Sequence, residues 1–254
     1  MKQKHEKTAV FRFYEELNDF LPSGERKKER VYTFKGTPSV KDAIEAQNVP
    51  HTEIDLILVN GRPVNFDHKL NSGDRVSVYP VFESFDISGV KDGAPIRNSR
   101  FILDVHLGKL AKYLRMAGFD TFYQNNLRDD EIINRSVKEN RIILTRDIGI
   151  LKNSMVTKGY FIRSQNPGEQ LKETILRFQL QSSIKFLSRC IECNGIIEEA
   201  DKKEIEKHLK PGTNRDFDKF YRCTGCGRIY WEGSHFDRMK EYYKELKAFL
   251  DNAG

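Results

Sequence analysis

The sequence predicts two domains of different fold class: an α+β domain in the first third of the chain and an α/β domain with a parallel sheet after it. Three observations carry this prediction. Apolar and polar residues alternate before about residue 82, short apolar strands alternate with amphipathic helices after residue 100, and two Cys-x-x-Cys pairs follow. With ~100–200 residues per domain, a chain of 254 residues has room for two or three domains.

The N-terminal pattern predicts a helix among four strands. A short helix is expected at 39–46, with Ser39 as its N-cap, and the Asn60-Gly61 pair is typical of a tight hairpin turn. The strands are expected at 8–14, 31–34, 54–59 and 75–81. The order strand, strand, helix, strand, strand is that of a β-grasp domain, which we place at 1–83. Residues 84–99 contain two Gly and one Pro without periodicity, and we interpret them as a linker.

Residues 100–186 alternate strand and helix, which favours a parallel sheet with helices on both faces. The first helix follows from Leu107, Leu110 and Leu114, which recur on one face. Strands are expected at 101–103, 121–123, 141–144 and 160–162, and helices at 107–117, 130–138 and 168–180. The remaining residues, 187–254, contain every cysteine and a charged terminal helix.

The four cysteines form two knuckles, Cys190/Cys193 and Cys223/Cys226, separated by 29 residues. This spacing favours one zinc ion held by four thiolates, and a site closed in this way is structural. Gly195 and Gly227 follow the knuckles, where a tight turn commonly needs positive φ. The alternatives are a redox pair, two disulfides or an iron–sulfur cluster. Four cysteines in 254 residues are too few for a disulfide scaffold.

Acidic residues follow two of the predicted parallel strands. Asp104 and Asp147 each come after an apolar strand, and Asp129-Asp130 opens a helix. Because the carboxyl ends of parallel strands share one sheet edge, these acids are expected to gather there and to need Mg²⁺ or Mn²⁺. Thr145 is a candidate to orient one carboxylate. Each acid also has a plainer interpretation as a helix cap.

The charge pattern favours a polyanionic partner. The net charge is +6, yet residues 1–90 carry 13 basic against 14 acidic side chains, so the excess lies in the later part. Lys109, Lys112 and Arg115 recur at helical spacing and are predicted to form an RNA-contacting stripe, together with Arg146 near the acids. The alternative is an ordinary solvated helix face.

The chain from about residue 100 to residue 240 resembles the Mut-seven C-terminal ribonuclease family, a branch of the PIN-domain nucleases. The resemblance rests on the cysteine pairs and on four motifs: FILDVHLGKLAKYLRMAGFD at 101–120, RDDEII at 128–133, RIILTRD at 141–147 and YWEGSHFDRM at 230–239. It implies a PIN-like fold with a C-terminal zinc ribbon and a metal-dependent ribonuclease activity. Carried onto this sequence, it makes Asp104, Asp129 and Asp147 metal ligands, with Asp130 as the alternate at the second position.

Residues 8–82 resemble the ubiquitin-like domain often fused to this ribonuclease, through NGRPVN at 60–65 and LNSGDRV at 70–76. Sulfur carriers need a free C-terminal Gly-Gly, whereas this chain ends Asn252-Ala253-Gly254. We therefore expect no sulfur-carrier or conjugation role, and an accessory role in binding RNA or a protein partner.

Three functions remain open from the sequence: a ribonuclease acting on RNA, a non-catalytic RNA-binding adaptor associated with ribosomes or tRNA, and a protein-interaction scaffold built on the ubiquitin-like domain. A membrane role is not expected, because no run approaches the ~20 apolar residues of a spanning helix. No signal sequence is recognisable, and the thiolates of a zinc site must stay reduced, so the expected location is the cytoplasm.

Overall fold

A computed structural model of the chain describes residues 6–80 and 100–252. The predicted linker at 84–99 lies outside the described residues. The described strands, in chain order, are β1 (Lys7–Phe13), β2 (Arg30–Phe34), β3 (Leu56–Val59), β4 (Arg62–Pro63), β5 (Arg75–Tyr79), β6 (Arg100–Leu103), β7 (Asp120–Phe122), β8 (Ile142–Thr145), β9 (Gly159–Phe161), β10 (Ile197–Ala200), β11 (Phe220–Cys223) and β12 (Ile229–Trp231).

Helices alternate with these strands after residue 100, as the sequence pattern predicts. The α-helices are α1 (Val40–Glu45), α2 (Gly108–Met116), α3 (Asp129–Glu139), α4 (Ile148–Leu151), α5 (Pro167–Arg177), α6 (Lys202–Ile205), α7 (Pro211–Asp216) and α8 (Ser234–Asn252). Within the described ranges, no helix combines the length and apolar character needed to cross a bilayer. The chain groups into two compact units.

The first unit contains a mixed sheet in the order β2-β1-β5-β3-β4. β1 pairs with β2 antiparallel and with β5 parallel, which is the central pairing of the predicted β-grasp order. Alternate residues of β1, including Phe11 and Phe13, are buried, and they meet Ile44 of α1 and Leu70 in one apolar core.

Local signals in the sequence explain two details of this unit. Ser39 is the N-cap of α1, where its hydroxyl accepts from the Asp42 amide at 3.1 Å, as predicted. Asn60 and Gly61 both have positive φ (52° and 79°), which is the conformation that a two-residue hairpin turn requires. The turn explains why β3 and β4 pair directly.

The segment Asp147–Phe161 groups with the first unit, although the sequence analysis placed it inside the 100–186 domain. Its side chains provide the physical reason, since Ile148 and Phe161 pack against the apolar core of the N-terminal domain. Strand periodicity and helix caps carry no information about which core a segment joins. The segment contains α4 and β9.

The second unit contains a parallel sheet, in which β6 pairs with both β7 and β8. Its central strand β6 is buried at Phe101, Ile102 and Leu103, as expected for a strand covered on both faces. α2 packs against β7 and α5, and α3 packs against β6 and β8. This arrangement agrees with the α/β class predicted from the sequence.

The cysteine region of the second unit has its own antiparallel sheet, in the order β10-β11-β12. α6 and the 3₁₀ turn that follows it lie in the long interval between the two cysteine pairs. The terminal helix α8 packs against α5, and Tyr242 of α8 stacks on Tyr113 of α2 with ring centroids 5.0 Å apart.

Candidate metal centre and nuclease site

The two cysteine knuckles meet in the second unit. The first knuckle precedes β10, and the second forms the turn between β11 and β12. One ligand atom from each of Cys190, Cys193, Cys223 and Cys226 lies within 4.8 Å of the other three. In residues 6–80 and 100–252, this is the only group of three or more His, Cys, Asp or Glu side chains that close together. The predicted four-cysteine cluster is therefore confirmed as a site that can hold a metal ion.

The spacing of the sulfur atoms fits zinc better than disulfides. The Cys190 and Cys226 Sγ atoms are 3.7 Å apart, and those of Cys193 and Cys223 are 3.3 Å apart. A disulfide needs ~2.05 Å, and none of the four is bonded in this way. Tetrahedral zinc with Zn–S bonds of ~2.3 Å holds its sulfur atoms roughly 3.8 Å apart.

The pKa values of the thiols differ because burial and hydrogen bonding act on them unequally. Burial raises the pKa of Cys193 to about 12, and hydrogen bonds with neighbouring thiols add to this rise. Burial opposes ionisation of Cys190 as well, but the Tyr230 hydroxyl, which donates to its Sγ at 3.0 Å, and backbone amides lower its pKa to about 7. Four thiolates together therefore need a cation. The cysteine spacing did not predict this contact, because Tyr230 lies in β12, outside both knuckles.

One of the two glycine predictions at the knuckles is wrong. Gly227 has φ of 72°, as expected, but in the first knuckle the left-handed residue is Asn194, with φ of 70°. Gly195 is needed for space instead, since a Cβ there would lie 2.7 Å from the Cys223 Sγ. Asn is the residue that most readily replaces glycine at positive φ.

Asn194 also joins the first knuckle to the parallel sheet, and the sequence analysis did not identify it. Its side chain accepts from the Thr121 amide at 2.9 Å and donates to the Asp120 carboxylate at 2.8 Å. Burial alone would raise the pKa of Asp120, but hydrogen bonds from Arg141 and Asn194 outweigh it and hold that pKa below its usual value. The cysteine region is therefore fixed to β7.

Arg115 corrects the predicted RNA-binding stripe. Its side chain is buried, and its guanidinium donates to the backbone oxygens of Thr121 at 3.0 Å, Ile191 at 3.2 Å and Glu192 at 2.7 Å. The buried face of α2 is wider than the spacing of its leucines indicates, because the first knuckle also packs against this helix at Arg115. Arg115 is thus a structural link between α2, β7 and the first knuckle.

We expect Arg115→Met to destabilise the second unit by about 2–4 kcal/mol, because it leaves several backbone oxygens without their donor. The matched control is Lys109→Met, which changes an exposed cation on the same helix and is expected to cost less than about 0.5 kcal/mol. Urea unfolding followed by circular dichroism measures both. Equal midpoints for the two variants would contradict the structural role of Arg115.

Lys109 and Lys112 lie exposed on α2, and Lys112 pairs with Glu192 at 3.0 Å. Arg146 is half-buried. One nitrogen of its guanidinium donates to the backbone oxygens of residues 162, 163 and 164, at 2.7–2.9 Å. Lys109 and Lys112 are thus the exposed members of the predicted basic stripe, and Arg146 holds the chain that follows β9. Contact of these side chains with RNA stays a prediction.

Asp104 is the most constrained of the predicted catalytic acids. It is 3% exposed and follows β6, as expected. One carboxylate oxygen accepts from the His106 amide at 2.8 Å, and the other accepts from the Thr145 hydroxyl and from the Arg146 amide at 2.9 Å. Thr145 orients this carboxylate, as the sequence analysis proposed. Asp104 also caps the 3₁₀ turn after it, which confirms its plainer predicted role, while its role as a metal ligand stays a prediction.

The other predicted acids are exposed. Asp129 and Asp130 lie in the first turn of α3, where Asp130 pairs with Arg128 at 2.9 Å. Asp147 is the N-cap of α4 and accepts from the Gly149 amide at 2.6 Å. Among the residues that the structure describes, these acids and Asp104 do not form a second group as compact as the cysteine cluster. Their joint action therefore stays a prediction.

Together, the folds and the cluster define a class: an α/β protein with a four-cysteine metal-binding region, preceded by a β-grasp unit. The family described as Mut7-C RNAse domain matches residues 99–243, more than half of the chain, and the chain belongs to that family. Residues 6–86 match the family described as Mut7-C ubiquitin.

One curated relative is the human protein named Exonuclease mut-7 homolog. It is 44% identical over 27 residues, which is 11% of this chain and 3% of that protein. The chain therefore matches only a small part of this relative. No solved structure matches the chain.

Proposed function

We propose that this protein is a ribonuclease that hydrolyses RNA phosphodiester bonds at an acidic site holding Mg²⁺ or Mn²⁺. The observation that carries the proposal is the match to the Mut7-C RNAse domain over residues 99–243. The proposed metal ligands are Asp104, Asp129 and Asp147, with Asp130 as the alternate at the second position. The PIN-like character of the domain is part of the same proposal.

The donors around Asp104 support a cation-binding role. A carboxylate offers about four lone-pair sites, and the three hydrogen bonds to Asp104 leave one for a ligand. These donors also keep the side chain in one orientation, which a catalytic ligand requires. Carboxylate oxygens suit Mg²⁺ and Mn²⁺, which activate water and neutralise charge on a phosphodiester when bound.

The cysteine cluster is proposed to hold one structural zinc ion. Four sulfur ligands leave no coordination position for substrate, so zinc would act through stability alone. Because these thiols must stay reduced to bind zinc, we also propose a cytoplasmic location.

The test is cleavage of end-labelled single-stranded RNA by purified, zinc-loaded protein in Mg²⁺, in Mn²⁺ and in EDTA applied briefly enough to leave zinc in place. The proposal predicts cleavage with either added metal and none in EDTA. RNA binding without cleavage in either metal would instead support a non-catalytic adaptor.

Lys109 and Lys112 are proposed to contact RNA phosphates. The double variant Lys109→Gln/Lys112→Gln is expected to weaken RNA binding and to reduce the slope of log affinity against log salt by about 1.4, since each contact to a single strand contributes ~0.7. Fluorescence anisotropy across a salt series measures this slope. The control is Lys27→Gln/Lys28→Gln, two exposed lysines of the N-terminal domain. Equal slopes for both pairs would argue against this RNA surface.

A further inference from the structure

The segment Asp147–Phe161 belongs to the first unit, where it packs against the core of the ubiquitin-like domain. This packing suggests what the ubiquitin-like domain does for the segment. We propose that Glu53 and His51 of that domain are positioning residues, which fix the segment Asp147–Phe161 and thereby orient Asp147 for catalysis. The inference rests on the proposed ribonuclease function and deepens it.

Two buried polar contacts hold the far end of the segment. The Glu53 carboxylate is 1% exposed and accepts from the Phe161 amide at 2.6 Å. The ring of His51, which is 8% exposed, lies 2.7 Å from the Val156 carbonyl oxygen through Nε2 and 2.5 Å from the Glu45 carboxylate through Nδ1. Burying such groups is unfavourable unless they are hydrogen-bonded, so these contacts specify one position for the segment.

Apolar contacts fix both ends of the same segment. Phe161 meets Phe20 edge-to-face with ring centroids 5.4 Å apart, and it packs against the core of the N-terminal domain. Ile148, at the other end, packs against the same core. The segment is therefore held at its second residue and at its last.

This anchoring bears on Asp147 through the backbone. Asp147 caps α4, whose first residue is the anchored Ile148. A shift of α4 would carry the Asp147 carboxylate with it, and misplacing a catalytic group by about 1 Å can cost a hundredfold in rate. The ubiquitin-like domain would thus serve the catalytic step.

The experiment compares three variants of the full-length, zinc-loaded protein. Glu53→Ala removes the acceptor of the Phe161 amide, Glu53→Gln keeps an acceptor oxygen, and Glu29→Ala is the control. Glu29 is an exposed glutamate of the same domain, paired with Arg75. Hydrogen–deuterium exchange reports on 148–161, and single-turnover cleavage at saturating RNA separates the rate constant from RNA affinity.

We expect Glu53→Ala to speed exchange in 148–161 and to lower the single-turnover rate constant about tenfold, with RNA affinity unchanged. Glu53→Gln should restore most of the rate, and Glu29→Ala should match wild type. If Glu53→Ala unfolds the domain, His51→Gln, which disrupts the contact to Val156, provides the same comparison.

Two results would overturn the inference while the wild type still cleaves RNA: unchanged exchange in 148–161, or faster exchange with a wild-type rate constant. Wild-type protein that cleaves no RNA in Mg²⁺ or Mn²⁺ would instead remove the proposed function, and this inference with it. The wild-type reaction therefore distinguishes the two failures.

Discussion

Asp104→Asn is expected to lower the rate constant of RNA cleavage in Mg²⁺ at least about a hundredfold, equivalent to ~2.7 kcal/mol in the activation barrier. The substitution keeps the size of the side chain but removes the negative charge that a divalent cation needs. It also turns an amide NH₂ toward a site where the structure places only donors, namely the His106 and Arg146 amides and the Thr145 hydroxyl. Single-turnover cleavage at saturating RNA measures the loss.

Lost folding would imitate lost catalysis here, because Asp104 is buried and caps a turn. Thermal unfolding and RNA affinity are therefore measured on the same preparation. The matched control is Asp67→Asn, an exposed aspartate of the N-terminal domain, which is expected to cleave like wild type. A folded Asp104→Asn protein with more than half of the wild-type rate would show that Asp104 is a structural cap alone.

Loss of metal from the cysteine cluster is expected to destabilise the second unit more than any surface substitution. Cys223→Ser should abolish binding of one zinc ion per chain, because it replaces a buried ligand at the end of β11. Zinc contributes ~10–16 kcal/mol to the folding of isolated zinc fingers. If even about 5 kcal/mol applies here, the Tm of this unit falls on the order of 10–20 °C.

Metal analysis and calorimetry test this prediction together. Protein treated with a zinc chelator should melt like Cys223→Ser, and adding zinc back should restore only the wild type. Magnesium should not replace zinc, since the cluster offers four sulfur ligands. Zinc-free wild-type protein with an unchanged Tm would contradict a structural role, and bound iron with visible absorbance would indicate an iron–sulfur cluster instead.

Most of the elements were predictable because short-range rules decide them. The alternation in β1, the cap at Ser39 and the turn at Asn60 each depend on a few neighbouring residues. The Cys-x-x-Cys spacing likewise predicts a knuckle from four consecutive residues. Thr145 was predictable as a partner of a carboxylate, since neighbouring parallel strands place Thr145 and Asp104 at matching ends.

The features that the sequence analysis missed depend on contacts between distant parts of the chain. The helical spacing of Arg115 predicts a surface cation. In the structure, the first knuckle packs over it and accepts its hydrogen bond at Ile191, which lies 76 residues further along the chain. The sequence does not indicate the role of Asn194, because its partners Thr121 and Asp120 lie in β7, more than 70 residues earlier in the chain. The grouping of Asp147–Phe161 with the N-terminal core likewise follows from side-chain packing, which periodicity does not encode.

The chemistry of the cleaved ends tests the central claim, metal-dependent hydrolysis at the acidic site, most directly. The substrate is an end-labelled RNA, cut by zinc-loaded protein in Mg²⁺. Attack by water does not use the 2′-hydroxyl, whereas metal-independent cleavage through that hydroxyl leaves a 2′,3′-cyclic phosphate. The account predicts cleavage of the RNA that EDTA and Asp104→Asn each abolish, with no cyclic phosphate. Cyclic phosphate ends, formed equally in EDTA and with Asp104→Asn, would contradict it.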